Sequence, residues 1–320
     1  MDSDELVFIS PVFKERPWGG CKLHTKWGYT IPSDKTGECW AVSAHPNGDC
    51  MVQNGKYEGK TLSKLWKENP ELFGEKSQEE FPILIKLLDA DEDLSVQVHP
   101  DDEYARIHEN GSKGKFECWY VLDALPESKI VFGHNAKSRK EFMTMVKEGK
   151  WEKLIHELPV KKGDFIVINP GMLHAIEGGI QILETQQSSD VTYRVYDYDR
   201  IVQGKKRQLH IKESLDIVKV PGGEADNSIL NTDSLMPNRL NELVSNKYFK
   251  VLKCNVDSRM EFKKEDDYLL VSIIEGYGCI NGTCVEKGDH FIIPKYVENV
   301  YILGNVSFIA STENRHCPAV

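Results

Sequence analysis

The chain lacks a long apolar run, an extended basic cluster and a Cys-x-x-Cys pair, and each absence removes a class of protein. No stretch approaches the roughly 20 apolar residues that a membrane-spanning helix needs, so no helical span is expected. The acidic start Met1-Asp2-Ser3-Asp4-Glu5 lacks the basic-then-apolar composition of a secretory signal, which points to the cytoplasm. The longest basic cluster is Lys205-Lys206-Arg207, and 40 Lys and Arg against 50 Asp and Glu leave a net charge of −10. Nucleic acid and anionic membrane surfaces are therefore poor partners, and an anionic small molecule would depend on a few placed cations. The eight cysteines stand at 21, 39, 50, 118, 254, 279, 284 and 317. That scatter favours free thiols over a disulfide framework or a zinc site of four thiolates.

What is present is short β-rich runs punctuated by Gly, Pro, Asn and Asp: Leu6 to Ile9, Cys39 to Ser43, Leu94 to Val98, Phe116 to Leu122, Asp164 to Ile168, Gln181 to Thr185 and Thr192 to Tyr196. Such spacing predicts a mainly β sandwich or barrel. Helical periodicity is confined to Leu62 to Asn69, Glu103 to Glu109 and Arg139 to Leu158, the last broken into two helices at Gly149. A second β cluster starts near Lys247 and contains the hairpin signal Asn281-Gly282. Between the clusters, Pro221 to Ser228 has linker composition. At 320 residues the chain can hold two domains.

The halves share a faint repeat. Lys162-Gly163-Asp164-Phe165-Ile166-Val167-Ile168-Asn169-Pro170 parallels Lys287-Gly288-Asp289-His290-Phe291-Ile292-Ile293-Pro294. A Gly-Asp turn, an apolar strand and a terminating Pro resemble the second motif of cupin barrels. The expected fold is two cupin-like jelly-roll barrels with a small helical segment. Residues 1–220 would form the catalytic domain, with its helical part at about 60–75, 101–112 and 138–158; 221–245 would be a linker, and 246–320 a degenerate second cupin. Only the first copy continues to a histidine, His174.

Candidate chemistry gathers in the first half. Gln97 and His99 alternate on one strand face, at a mouth where Pro100 ends the strand, and can supply half of a metal site. Lys115 and Glu117 share a face of the next run, and His174 lies just beyond a strand. Gln, two His and Glu make a mixed nitrogen and oxygen set suited to zinc, although manganese, iron or cobalt also fit. Taken singly, each histidine reads as a hydrogen-bonded structural residue and Glu117 as a solvated one; occurring together at strand ends in one half only, they point to a metal. The polar segment Glu184 to Asp199 reads either as a loop joining two strands or as a substrate-facing hairpin. In the second reading Arg194 offers a forked cation and Glu184 a proton carrier.

These residues resemble the type I mannose-6-phosphate isomerases in their short bacterial form. The likeness runs from Arg16-Pro17-Trp18-Gly19-Gly20 and Gly37-Glu38-Cys39-Trp40, through Gln97-Val98-His99-Pro100 and Lys115-Phe116-Glu117-Cys118-Trp119, to Glu184–Tyr198 and Leu209-His210. The resemblance implies one zinc ion on Gln97, His99, Glu117 and His174, a catalytic Arg194, Lys115 and Glu184 lining the sugar site, and Trp18 in its wall. It also implies interconversion of mannose 6-phosphate and fructose 6-phosphate through a cis-enediol, by a monomer or weak homo-oligomer. The chain lacks the large helical insertion of longer members. Two rivals are a non-catalytic cupin that senses a sugar phosphate and a metal-dependent cupin oxygenase. The charged set Lys115, Glu184 and Arg194 favours the isomerase over both.

Overall fold

Successive side chains of a strand point to opposite faces, so a strand buried on both sides feeds two cores at once. The computed structural model describes residues 6–74, 80–222 and 229–314. Residues 223–228 of the linker-like stretch, the acidic N-terminus 1–5, and Cys317 lie outside them. A seven-stranded sheet runs in the order Ile229–Asn231, Asp164–Ile168, Glu117–Ala124, Ile180–Gln187, Ile83–Ala90, Val12–Gly20, Thr36–Val42. A five-stranded sheet, Tyr193–Tyr196, Val96–Val98, His174–Ile176, Lys129–His134, Ile155–Pro159, faces it. The gap between them is filled by a core that includes Trp18, Leu88, Trp119, Phe132, Ile166 and Ile182.

The other face of the seven-stranded sheet packs on a third sheet of nine strands, built mainly from the C-terminal part. Cys39, Phe116, Tyr120 and Leu183 meet Phe249, Leu270, Ile292 and Ile309 in that shared core. The far face of the third sheet covers a separate apolar core containing Leu252, Val271, Phe291, Ile302 and Phe308. The architecture is mainly β and cupin-like, as expected, but the sheets are open and stacked rather than closed into barrels. Strand pairing joins the two halves directly and also engages the 221–245 segment itself. Val7–Ser10 pairs with His290–Ile293, and Ile229–Asn231 pairs with Asp164–Ile168.

Two helical expectations need correction. The 139–158 region does break at Gly149, giving helices Arg139–Lys147 and Trp151–Leu154, but its last residues form the strand Ile155–Pro159. Leu154, Ile155 and Leu158 fit either period, and pairing with Lys129–His134 decides for the strand. Helix Ile211–Ile217 was not expected; with Phe142, Leu154 and Val218 it covers the outer face of the five-stranded sheet. Among the described residues no helix is long and apolar enough to cross a membrane.

Candidate metal centre and charged cavity

Two rows of side chains face each other across the gap between the seven- and five-stranded sheets. On the five-stranded side Arg194, Gln97 and His174 are directly opposed neighbours on three adjacent strands. On the seven-stranded side the row runs Trp119, Glu184, Lys86, Trp40. Directly opposed residues in a sheet share a face, so each row presents its side chains as a group. Glu117 opens its strand beside Gln186, and His99 follows Val96–Val98 at the point where Pro100 ends the pairing.

Both histidines are oriented by backbone carbonyls. His99 Nδ1–H donates to Val191 O at 3.0 Å and His174 Nδ1–H to Met172 O at 2.8 Å. A carbonyl only accepts, so each ring carries its proton on Nδ1 and turns an Nε2 lone pair inward. Those lone pairs face Glu117: His99 Nε2 lies 3.5 Å from Oε2 and His174 Nε2 3.3 Å from Oε1. The amide of Gln97 reaches to 3.4 Å from His174 Nε2. Lys115 Nζ ion-pairs with Glu117 Oε2 at 2.8 Å and also lies 3.2 Å from His99 Nε2, so one ammonium serves several buried lone pairs.

This is a buried surplus of lone pairs. The donor atoms of His99, Glu117 and His174 lie within 4.8 Å of one another, and all three residues are buried. Burial pushes both imidazoles down, His174 to about 4, so each is neutral and able to ligate at pH 7. Burial pushes the Glu117 carboxyl up and outweighs the lowering by Lys115, as expected for a carboxylate taken out of water. Two imidazoles, a carboxylate and an amide fit zinc or a similar divalent cation.

Glu184 has the opposite environment. Burial would raise its carboxyl, but Lys86 and Lys115 outweigh that and hold it well below the ordinary range. Lys86 Nζ is 3.0 Å from one oxygen, and Trp119 Nε1–H donates to the other at 3.3 Å. Lys115, charged beside Glu117 and Glu184, stays protonated although burial alone would lower it.

These groups line a cavity of about 590 Å³. Six cations border it (Lys14, Arg16, Lys86, Lys115, Arg194, Arg207) against four carboxylates (Glu15, Glu38, Glu184, Asp190), an excess of two positive charges in a chain of net −10. Arg194 is lowered by burial and by Arg207 and Arg16, with Asp197 opposing, and all three arginines line the cavity. Arg16 is held bidentately by Glu38 at 2.7 and 2.9 Å, and Arg207 donates to Asp197 at 3.1 Å. Trp18, 4% exposed, belongs both to the cavity wall and to the core beneath it. Gly37 makes room there, since a Cβ on it would stand 2.6 Å from the Trp18 ring and 2.8 Å from Arg16 Cβ.

Every residue singled out from the sequence (Trp18, Gln97, His99, Lys115, Glu117, His174, Glu184, Arg194) therefore lies in or against one site. The sequence reading did not single out Arg16, Glu38, Lys86, Asp190 and Arg207. Lys86 carried a readable signal: it is the one charge in the first six residues of the otherwise apolar Ile83-Leu84-Ile85-Lys86-Leu87-Leu88.

The fold and the site define a cupin with a candidate metal centre at the base of a cationic cavity. Comparison with known proteins narrows this. Residues 6–124 match the family described as phosphomannose isomerase type I, catalytic domain, and residues 240–313 match mannose-6-phosphate isomerase, cupin domain. The chain is 48% identical to mannose-6-phosphate isomerase ManA of Bacillus subtilis over 91% of its length and 93% of that protein. It is 44% identical to a mannose-6-phosphate isomerase of Streptococcus mutans, covering 97% and 99% of the two chains. The crystal structure of a Bacillus subtilis mannose 6-phosphate isomerase superposes with a TM-score of 0.91 at 44% identity, covering 96% and 99%. The chain belongs to the type I mannose-6-phosphate isomerase family and is an enzyme of that family.

Proposed function

We propose that this enzyme interconverts D-mannose 6-phosphate and D-fructose 6-phosphate through a cis-enediol, with one zinc ion per chain held by Gln97, His99, Glu117 and His174. The observation that carries the reading is the placement of a buried Glu117, ion-paired with Lys115, between the Nε2 atoms of two histidines, beside a cavity bordered by Arg16, Arg194 and Arg207. Zinc bound there would supply Lewis-acid polarisation of the substrate's oxygens. The remaining chemistry falls to the chain's own side chains.

The isomerisation moves a proton between C2 and C1 while negative charge appears on the oxygens of both carbons. Arg194, whose Nε has no hydrogen-bond partner among the described residues, has unspent donors to place on that charge. Lys115, kept protonated, can hold or return a proton at the oxygens. Glu184 stays ionised and can accept the carbon-bound proton, with Lys86 limiting its basicity. Arg16 and Arg207 are anchored by their own carboxylates and keep free N–H groups for the phosphate. Trp18 walls the sugar.

Every residue lining this cavity falls between Lys14 and Arg207, which supports placing the catalytic machinery in 1–220 and giving 246–320 a supporting role. We place the reaction in the cytoplasm, in a monomer or weak homo-oligomer that acts on a small molecule rather than on nucleic acid or membrane. The test is a coupled assay with mannose 6-phosphate on purified protein, paired with metal analysis before and after chelation. Turnover lost with zinc and restored by it supports the reading; full turnover by metal-free protein overturns it. Sugar-phosphate binding with no turnover in the metal-loaded protein would favour a sensing cupin.

A further inference from the structure

The hairpin joining Leu269–Ile280 to Thr283–Glu286 turns through Asn281 and Gly282, with φ of +47° and +82°. Two positive φ values define the two-residue turn whose twist matches the strands. Ile280 and Thr283 flank it as the hydrogen-bonded pair, so Cys279 and Cys284, one step out, form a non-hydrogen-bonded pair. Opposed residues at such pairs stand about 4.5 Å apart at Cα, inside the range that a disulfide spans. The two Sγ atoms are 3.2 Å apart. Reaching a bond length of about 2.05 Å takes a closure of about 1.2 Å, which side-chain rotation on an outer sheet face can supply.

The surroundings leave this pair open to solution. Cys284 is exposed and Cys279 half-buried, while Ile280 and Val285 turn to the opposite face and are core. Cys39, Cys50, Cys118 and Cys254 are buried, so their thiols are shielded. The contact with Cys284 raises the Cys279 thiol.

We propose that Cys279 and Cys284 form a reversible disulfide when the protein meets a low-molecular-weight disulfide, making this hairpin a redox modification site apart from the isomerase cavity. Cys284 loses its proton to solvent and attacks one sulfur of the oxidant, releasing one small thiolate and forming a mixed disulfide. Cys279 then loses its proton to solvent and attacks the Cys284 sulfur, releasing the second small thiolate. Two protein thiols become one disulfide, the oxidant is reduced by two electrons to two thiols, and the small thiolates take up the two protons. The ring encloses only six residues, so its hold on the unfolded chain is modest. Its consequence is chemical: two accessible thiols are capped against further oxidation.

The test exposes the folded full chain to oxidised glutathione, blocks remaining thiols with N-ethylmaleimide, and reads intact mass and proteolytic peptides. The expected result is loss of two hydrogens from a species linking Cys279 to Cys284, with two alkylatable thiols recovered after dithiothreitol and isomerase activity unchanged. Cys279→Ser/Cys284→Ser should lose that change while melting like the parent. Complete alkylation of both cysteines after oxidation, glutathione retained on each, or the same two-hydrogen loss in the double variant would overturn the proposal.

Discussion

The two halves of the molecule carry the same turn-and-strand unit and use it differently. Gly163 and Gly288 take φ of +92° and +97°, and the following aspartates accept from the backbone N–H three residues earlier, Asp164 from Lys161 at 2.9 Å and Asp289 from Glu286 at 2.8 Å. Beyond the strand the copies part. The first runs through Pro170 and Gly171 to His174 in the candidate metal centre; the second runs through Pro294 to Val297, fully buried in an apolar core with Val271, Phe291 and Phe308. One interior is left with lone pairs in surplus, and the other is filled. The scaffold tolerates both, so the chemistry resides in what the loops and inward positions carry.

The largest expected effect comes from removing that surplus. Glu117→Gln should abolish turnover and bound zinc together, by more than the roughly 10- to 100-fold that loss of an outer-shell partner costs a metal site. Thermal melting of the metal-free protein should fall as well, because the substitution leaves the buried Lys115 without the ion-pair partner that stands 2.8 Å away. Retained metal and activity would break the contrast between the halves. The mirror experiment is Phe291→Ala in the filled interior, where the ring is fully buried and its centroid lies 5.3 Å from that of Phe8. It should cost about 3–5 kcal/mol in a denaturant titration and leave kcat of the folded fraction unchanged. A kcat loss matching that of Glu117→Gln would mean that the second half does more than support.

Within the cavity, the arginines sharpen the comparison further. Arg194→Ala should lower kcat by roughly 10², as loss of an oxyanion donor does, whereas Arg207→Ala should raise KM for the phosphorylated sugar by roughly tenfold with kcat near the parent value. An unchanged kcat with only a higher KM for Arg194→Ala would move Arg194 to phosphate binding.

Legibility followed the locality of the signal. The Asp164–Ile168 strand and the Asn281-Gly282 hairpin were readable because turn chemistry and alternation sit within a few residues. Strand Ile83–Ala90 was not, since it is buried on both faces and loses alternation; Leu88 and Ala90 enter one core while Ile83, Ile85 and Leu87 enter another. Lys86 was missed with it. Gln97, His99, Glu117 and His174 could be named because lone-pair donors at strand ends are conspicuous in one dimension. Arg16, Glu38 and Arg207 acquire meaning only from partners far along the chain, such as Glu38 for Arg16.

The smallest expected effect concerns the histidine that the second half does keep. Tyr29 OH donates to Gly288 O at 2.7 Å, so its oxygen accepts from His290 Nε2–H at 2.9 Å, and His290 Nδ1 accepts from Ser272 Oγ at 2.9 Å. Both nitrogens are thereby spent, in the tautomer opposite to that of His99 and His174, and no lone pair remains for a metal. Burial holds His290 down to about 3, far below the ordinary histidine value. Its folded-state pKa being depressed, the unfolded chain takes up a proton first. Stability should therefore be intact above about pH 6.5 and fall on acidification by up to about 1.4 kcal/mol per pH unit until about pH 3. In metal-free protein His99 and His174 add to the same slope, so the informative quantity is the difference between parent and His290→Gln. Urea midpoints measured at pH 7, 6, 5 and 4 should show the variant less stable at neutrality and the gap narrowing toward acid; a gap constant with pH would mean that His290 does not titrate with folding.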